Sequence, residues 1–409
     1  MSQNVSSETQ AAASQGRFRT SAIFFAVMLG ATLLMRGPVT SIGPIAEDIR
    51  RAFEISYSEY GILTAIPIAC FGLFSFAAPV LAGRLGLAKA AAAALLILFI
   101  GAFGRLSQSW GLLLAATACV GAGIALLNAF MPVVVKTADP ARVGLLMGIY
   151  TGFIGLSGGI GGLTSVPFKN LAGSIAGTMG FWAAAAAIGL ALWLLVIVPA
   201  EKPEAAKPAV QPPSGGAAEG LRQMAGRPAA WAVTAVMGLQ SLLIYTMSAW
   251  MPPYWTSIGM SQEQTGVWLF VFLVSGLPAS VFTSKFMDWC ASEAKAEVIL
   301  AALYLLGLAG WLWGGWALLP GSICAGASQG AMLSVACLLM SRKTRSLREM
   351  LALSSLAQGV GYLGAGLGPI IFGRLFEGTG GWTASFASAA AAMIAWGLAG
   401  VAASRRDRV

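Results

Sequence analysis

The chain contains no histidine and few charged residues of either sign. Only 10% of its 409 residues are charged, whereas about a quarter are charged in an average soluble protein. Without histidine, the chain lacks the commonest metal ligand and the usual proton carrier near neutral pH. No metal-ligating cluster and no embedded nucleophile–base pair replaces it. The sequence therefore argues against an enzyme, and we expect no metal site and no cofactor.

Hydrophobic residues make up 57% of the sequence and fall into long runs. A run of about 20 apolar residues is long enough to cross a bilayer as a helix. The apolar segments lie at about 20–46, 58–83, 87–104, 110–135, 142–168, 175–199, 229–257, 265–286, 297–314, 316–341, 349–373 and 380–403. This pattern predicts an all-α integral membrane protein with about twelve transmembrane helices, whose main surroundings are the lipid bilayer.

A polar stretch over residues 201–227, rich in proline, glycine and charge, divides these segments into two sets of six. We therefore predict one six-helix half over 1–200, a cytoplasmic linker over 201–227 and a second half over 228–409. Colinear matches support a duplicated unit: a spacing of 206 residues relates Gly155, Gly158 and Gly162 to Gly361, Gly364 and Gly368. Such duplication predicts two pseudo-symmetric halves around an axis along the membrane normal.

The net charge of +9 comes from basic residues in short gaps between apolar runs, and so does not indicate a nucleic-acid partner. Of the 25 basic residues, 19 lie on the same side of the predicted membrane as the N-terminus. The other six are Arg36, Arg50, Arg51, Arg105, Lys169 and Arg374. By the positive-inside rule, we expect both termini in the cytoplasm of a bacterial cell, with the protein in the inner membrane.

Arg36 is the only charge that the sequence places deep inside an apolar segment. At ~1.5 Å per residue it lies roughly 20 Å beyond Ser21, past the middle of a ~30 Å hydrocarbon core. A charge at that depth usually faces the bundle interior or a watery cavity. Gly37 and Pro38 follow at once, and proline removes a helical hydrogen bond. We therefore predict an anion-binding arginine at a bent or broken helix; the alternative is an arginine that snorkels to the outer interface.

Several short motifs recur along the apolar segments: Arg36-Gly37-Pro38-Val39-Thr40-Ser41-Ile42-Gly43-Pro44, Asn128 with Pro132 and Lys136, Gln358-Gly359, Gly361-Tyr362, Leu367-Gly368-Pro369 and Gly380-Gly381-Trp382. Together they resemble the major facilitator superfamily, and within it the branch of cyanate and nitroimidazole transporter-like proteins. Two departures stand out: Gly37 separates the arginine from the proline, and the loop between helices two and three keeps only Gly83-Arg84-Leu85-Gly86 of the superfamily pattern.

The resemblance implies that helices one, four, seven and ten line a central cavity, with five and eleven beside them. Polar and aromatic residues on these helices form the predicted substrate site: Arg36, Thr40, Asn128, Tyr150, Gln240, Tyr245, Trp250, Tyr254, Gln329, Gln358 and Tyr362. For any single amide among them, an interhelical hydrogen bond is an equally good interpretation. One cation with amides, hydroxyls and rings, and with no buried carboxylate, suits a small anion or a solute with an electronegative edge.

Glu47 and Asp48, about three turns after Arg36, are the predicted gating or coupling residues. The acidic residues are predicted to lie at helix ends, so the sequence offers no embedded carboxylate as a proton carrier. The alternative for Glu47 and Asp48 is a solvated pair at the outer mouth, balanced by Arg50 and Arg51.

Two transport functions remain open. The first is a secondary active transporter that moves a small anion, cyanate-like or organic, by alternating access. The second is an exporter of small aromatic or nitroheterocyclic toxic compounds, for which Trp250, Tyr254 and Tyr362 are suitable contacts. In both cases we expect a monomer, and neither substrate nor coupling ion follows from the sequence.

Overall fold

The computed structural model describes residues 18–74, 77–139, 142–202, 222–345 and 347–405. In the first half the helices are α1 (Ala22–Leu33), α2 (Gly37–Thr40), α3 (Ala46–Phe53), α4 (Tyr57–Phe74), α5 (Ala78–Leu85), α6 (Leu87–Gly104), α7 (Trp110–Ala138), α8 (Val143–Ala172) and α9 (Ile175–Leu192). A π-helical turn, Trp193–Ile197, and a last turn, Val198–Ala200, extend α9. Over the described residues, β pairing is limited to an isolated bridge between Phe18 and Glu201.

The second half repeats the arrangement. Its helices are α10 (Pro228–Ser257), α11 (Gln262–Trp289), α12 (Glu293–Trp313), α13 (Leu318–Arg342, after a 3₁₀ turn at Gly315–Ala317), α14 (Leu347–Ala365), α15 (Leu367–Thr379) and α16 (Trp382–Ser404). Sequence chemistry explains several boundaries: Pro228 opens α10, and Ser261 with Gln264 forms a capping box at the start of α11. Most of the predicted linker, residues 203–221, lies outside the described residues.

Twelve spans of the described chain are long and apolar enough to cross a membrane, and their positions match the twelve predicted segments. The all-α membrane fold is therefore confirmed.

Successive spans run in opposite directions, so the bundle has two ends. The linker end is the one at Ala22, Ala200, Pro228 and Ser404; the far end is the one at Phe53, Ala172, Ser257 and Thr379.

The two halves touch along α8 against α11 and along α4 against α14 and α15. Glycines permit this close approach: a Cβ on Gly266 would lie 2.7 Å from the carbonyl oxygen of Gly162, and one on Gly61 would lie 2.7 Å from that of Pro369. The α8–α11 contact extends from Lys169 and Gln262 at the far end to Gly155, where a Cβ would meet Leu277. Small residues at such crossings are typical of membrane helices.

Nearer the linker end α8 has open space around it. A Cβ on Gly148 or Gly152 would meet nothing within 4 Å, in contrast to the tight glycines further along the same helix. Helix α8 thus packs against α11 toward the far end, while its glycines nearer the linker end face open space.

Candidate functional site

The first membrane span is broken at Arg36, as the sequence predicts. Helix α1 ends at Leu33, Arg36 has a non-helical backbone (φ −131°, ψ −34°), and α2 begins at Gly37. A break inside a membrane leaves backbone groups that need partners, since no water is present there. The buried hydroxyl of Ser157 on α8 supplies them. It accepts from the N–H groups of Arg36 (3.2 Å) and Gly37 (2.9 Å) and donates to the carbonyl of Leu33.

Two further contacts hold the turn after Arg36. The hydroxyl of Thr40 donates to the carbonyl of Gly158 (2.8 Å), so this predicted substrate contact is buried and engaged in packing α2 against α8. From the other side, Arg105 donates from Nη1 to the carbonyl of Pro38 (2.6 Å) and from Nε to Thr117 (3.0 Å). Burial lowers the pKa of Arg105 to about 10, so it keeps its charge at neutral pH. The sequence indicates only that Arg105 is one of six basic residues that do not lie on the side of the N-terminus.

The Arg36 side chain is only partly buried. Its guanidinium carbon lies 5.3 Å from the centre of the Tyr245 ring, within the range of a cation–π interaction. The hydroxyl of Tyr150 lies 4.0 Å from Sδ of Met35, the residue before Arg36, and Tyr362 shares the ring of Phe71 with Tyr245. Within the described part of the chain, the guanidinium has neither a carboxylate partner nor a hydrogen bond. We call Arg36, Tyr150, Tyr245 and Tyr362 the arginine–tyrosine cluster.

The arginine–tyrosine cluster joins both halves of the molecule. Arg36 and Tyr150 belong to the first half, whereas Tyr245 on α10 and Tyr362 on α14 belong to the second. Phe71 of α4, which the sequence did not single out, packs its ring 5.7 Å from that of Tyr245 and 5.6 Å from that of Tyr362. A cation beside the Tyr245 ring, with the rings of Phe71 and Tyr362 next to it, can hold a small anion or a flat solute with an electronegative edge.

The predicted amides fall into two groups. Gln329 donates to the backbone oxygen (3.1 Å) and side-chain oxygen (3.3 Å) of Gln240, while Gln358 donates to Ser354 one turn away (2.8 Å). The Gln329–Gln240 contact is the interhelical hydrogen bond of the alternative interpretation, whereas Gln358 bonds within its own helix. Asn128 is different: it is half-buried, and its amide has no hydrogen bond to any residue that the structure describes. Asn128 therefore remains available to a solute.

Trp250 and Tyr254 lie in a ring cluster instead. Trp250 is fully buried, donates from Nε1 to the carbonyl of Pro369 (3.0 Å) and stacks edge-on against Tyr60, at 5.2 Å between ring centres. Tyr254 packs against Trp382 and Phe386. The Tyr60 hydroxyl donates weakly to carbonyls of both halves, those of Ile42 (3.4 Å) and Ala249 (3.3 Å). The rings thus close the bundle toward its far end.

Glu47 and Asp48 both have partners. Glu47 pairs with Arg50 (2.9 Å), one of the two partners in the alternative of a solvated outer-mouth pair, but the two side chains are only 22% and 19% exposed. Asp48 has a different role, because it accepts from Lys169 (3.1 Å) and from Gln262 of the second half (2.7 Å), and Lys169 also donates to Gln262. Beside them Asn170 donates to Glu263 (3.1 Å), and Ser58 donates to Glu377. These contacts join the halves at the far end.

One inference from the sequence is wrong: the bundle does contain a buried carboxylate. Glu297 is fully buried on α12, and neither of its oxygens has a hydrogen-bond partner among the described residues. A Cβ on Gly400 of α16 would lie 2.6 Å from its carboxyl carbon. The predicted apolar segment begins at residue 297, whereas α12 begins at Glu293, so Glu297 lies a full turn inside the helix.

Comparison with known proteins decides the family. Residues 23–318 match the Major Facilitator Superfamily. The chain belongs to that superfamily. Its members are membrane transporters, so the chain is not an enzyme, as predicted.

Three curated relatives cover nearly the whole length of this superfamily member. The uncharacterized transporter YycB of Bacillus subtilis is 31% identical over 374 residues, which are 91% of this chain and 90% of the relative. The 2-nitroimidazole transporter of Escherichia coli is 26% identical and covers 96% of this chain and 98% of its own. The cyanate transport protein CynX of Escherichia coli is also 26% identical, with 88% and 91% covered. The predicted resemblance to the cyanate and nitroimidazole branch is confirmed.

Solved structures show the same fold at much lower sequence identity. The nucleoside transporter NupG superposes with a TM-score of 0.75 at 13% identity, covering 93% of this chain and 99% of its own. A bacterial homologue of the human lysosomal transporter Spinster, solved in an inward-facing and unoccupied conformation, gives a TM-score of 0.72 at 17% identity, with 93% and 95% covered. At these identities the likeness establishes the major facilitator fold.

Proposed function

We propose that this protein is a secondary active transporter for a small anion, cyanate-like or organic, and that Arg36 anchors the solute. The observation that carries the proposal is the unpaired Arg36 guanidinium at a helix break, facing Tyr245 within the arginine–tyrosine cluster. A cation held inside a membrane without a carboxylate is costly unless something of opposite charge visits it. A solute anion would fill that role.

Arginine suits this task for two reasons. Its planar fork of donors can bind a carboxylate or a linear anion with two hydrogen bonds, and it stays charged at any working pH. The neighbouring tyrosine hydroxyls can donate further bonds, and Asn128 can add an amide. The cyanate transport protein among the relatives carries a small linear anion by its printed name, which agrees with a site of this kind.

Transport would proceed by alternating access. The arginine–tyrosine cluster takes residues from both halves, so a rocking motion of one half against the other would open it first to one end and then to the other. The present structure, joined at the far end by Asp48, Lys169 and Gln262, would be the state open toward the linker end. By the positive-inside rule, the linker end faces the cytoplasm of a bacterial cell and the far end faces outward.

A second candidate rests on the rings. Phe71, Tyr245 and Tyr362 form an aromatic wall beside Arg36, on which a flat heterocycle could stack. A nitro group would then lie against the guanidinium. The relative named as a 2-nitroimidazole transporter has such a solute, and the same residues would then serve export of a toxic compound.

A two-step experiment separates these candidates. Purified protein is first screened by thermal unfolding against cyanate, formate, acetate and 2-nitroimidazole, because a bound ligand stabilises the folded state. The stabilising compound is then measured in proteoliposome uptake, and a deletion strain is tested for resistance to 2-nitroimidazole. Uptake of an anion by wild type, its loss in Arg36→Ala and its retention in the exposed control Arg374→Ala would support the first candidate.

The opposite pattern would favour export. If no anion stabilises the protein and the deletion strain becomes sensitive to 2-nitroimidazole, the nitroheterocycle is the solute. If an anion raises the unfolding temperature of folded Arg36→Ala as much as that of wild type, Arg36 does not anchor the solute.

A further inference from the structure

The buried carboxyl group of Glu297 has no part in the proposed transport function. It lies near the linker end of α12, one turn after Glu293, and 0% of the residue is exposed. Neither of its oxygens has a hydrogen-bond partner among the described residues. A carboxylate without a partner is very costly in such surroundings, and a buried acid avoids that cost by keeping its proton.

The space around this carboxyl group is narrow. Glycine faces it from α16: a Cβ on Gly400 would lie 2.6 Å from the carboxyl carbon of Glu297 and 2.7 Å from one of its oxygens. One turn deeper, a Cβ on Gly397 would lie 3.3 Å from the side chain of Ala301 on α12. The two helices pack too closely here for a hydrated metal ion or a solute, whereas a proton adds no volume. The ligand that fits this position is a proton.

A buried cation lies one turn nearer the linker end. The ammonium group of Lys343, at the end of α13, is 3.8 Å from a carboxylate oxygen of Glu293 and donates to the carbonyl of Ser404 (3.2 Å). Glu293 precedes Glu297 by one turn of α12, and Ser404 follows Gly400 by one turn of α16. Because a helical turn rises about 5.4 Å, the ammonium group lies roughly that far from the Glu297 carboxyl along both helices.

The other charges at this end are less buried. Arg342 pairs with Glu293 (3.0 Å) and with Asp288 at the end of α11 (3.4 Å), and its side chain is 38% exposed, against 11% for Lys343. Arg405, directly after α16, is exposed. Lys343 is therefore the cation that responds most strongly to a charge on Glu297, since solvent screens it least.

We propose that Glu297 is a proton-binding site that controls how the ends of α13 and α16 are held together. With the proton bound, the carboxyl group is neutral, and Lys343 stays with Glu293 and Ser404. When the proton leaves to the solvent at the linker end, the carboxylate attracts Lys343 one turn deeper, at the expense of its bond to Ser404. Rising pH at the linker end thus loosens this end of the second half.

Infrared spectroscopy tests the proton directly, since only a protonated carboxyl group has the carbonyl stretch of an acid. Full-length protein in lipid nanodiscs is compared with Glu297→Gln, which has nearly the same shape and is neutral at every pH. At neutral pH the acid band should be weaker in Glu297→Gln by one carboxyl group, and in wild type it should fade as the pH rises. Glu54→Gln is the control, because Glu54 is exposed and its loss should leave the band unchanged.

Two further substitutions test the link to the charged neighbours. Lys343→Gln removes the buried cation, so the acid band should persist to a higher pH, by about one unit or more. Glu293→Gln removes the neighbouring anion, so the band should fade at a lower pH. A glutamate that only fills space would show neither shift. If Lys343→Gln fails to fold, Glu293→Gln still tests the electrostatic coupling.

Hydrogen exchange measures the movement that the proton controls. In the last turns of α13 and α16, wild type and Glu297→Gln should exchange equally at mildly acidic pH, and wild type should exchange several-fold faster at alkaline pH. Comparing the two proteins at the same pH cancels the intrinsic pH dependence of exchange.

Three results would overturn the proposal. They are an acid band of equal strength in wild type and Glu297→Gln, a band that neither neighbouring substitution shifts, and equal exchange of the two proteins at alkaline pH. None of these measurements uses a transported solute, so the proposed function would stand in each case.

Discussion

At the scale of the residue, the central feature is the way Ser157 stabilises the break at Arg36. A hydroxyl can donate one hydrogen bond and accept two. Ser157 uses all three, with the Leu33 carbonyl and the N–H groups of Arg36 and Gly37. The Arg36 side chain therefore extends from a backbone whose polar groups are satisfied without the guanidinium.

Ser157→Ala should therefore destabilise the protein and disturb the site. Removing the hydroxyl leaves buried backbone groups unpaired, which costs about 1–3 kcal/mol in the free energy of unfolding. The measurement is thermal unfolding in detergent. Thr151→Ala on the same helix is the matched control, because that exposed hydroxyl donates only within α8, to Met147 (2.9 Å) and Gly148 (3.0 Å). Equal melting temperatures for the two variants would contradict this account of the break.

The sequence identifies Arg36 and its helix break, but not the residues that hold them. Gly37 and Pro38 are local signals, so the break can be predicted from its neighbours. Ser157 lies 121 residues further along the chain than Arg36, and no local pattern connects the two. Arg105 looked like an ordinary loop charge because its partner, the Pro38 carbonyl, is also distant in sequence.

At the scale of the element, the contact between α8 and α11 determines how the halves meet. Its glycines let the two backbones touch: Gly162 faces Gly266, and a Cβ on Gly159 would lie 2.8 Å from the Phe270 ring. The sequence indicates Gly155, Gly158 and Gly162 of α8 through the 206-residue repeat. It cannot predict which partner helix they face, since that depends on contacts about a hundred residues apart.

Gly266→Ala should loosen the far end. The added methyl would lie 2.7 Å from the Gly162 carbonyl oxygen, so the helices must separate by a few tenths of an ångström or more. A short bifunctional thiol reagent joining Asn170→Cys to Glu263→Cys, whose native side chains are 3.1 Å apart, should then react several-fold more slowly. Gly148→Ala is the control, since a Cβ there meets nothing within 4 Å. Unchanged cross-linking in Gly266→Ala would rule out this role for the contact.

Element boundaries also explain the error over Glu297. Hydropathy detects the apolar body of a helix but not its polar first turn, and α12 begins four residues before Glu297. The carboxylate is thereby carried into the bundle beside Gly400. The position of Trp250 could not be predicted from the sequence either. Its aromatic side chain suggests a solute contact, but it is buried among other rings because α10 packs against α4 and α15.

At the scale of the whole molecule, the pattern of contacts between the halves is asymmetric. Polar contacts and rings join the halves at the far end, while the glycines of α8 nearer the linker end face open space. The arginine–tyrosine cluster lies between, with residues from both halves. The proposed alternating access would need such a shared site, and a closure at one end that is weak enough to exchange for closure at the other.

The most direct test of this account is the affinity of Arg36 variants for the anion that stabilises the protein most. Isothermal titration of folded, monodisperse Arg36→Ala should show binding weaker by about one to two orders of magnitude, because charged hydrogen bonds contribute roughly 1.5–3 kcal/mol. Arg36→Lys should recover only part of the loss, since an ammonium cannot reproduce the planar fork. Arg374→Ala should bind as wild type does. Near-native affinity in Arg36→Ala would contradict the claim that Arg36 anchors the solute.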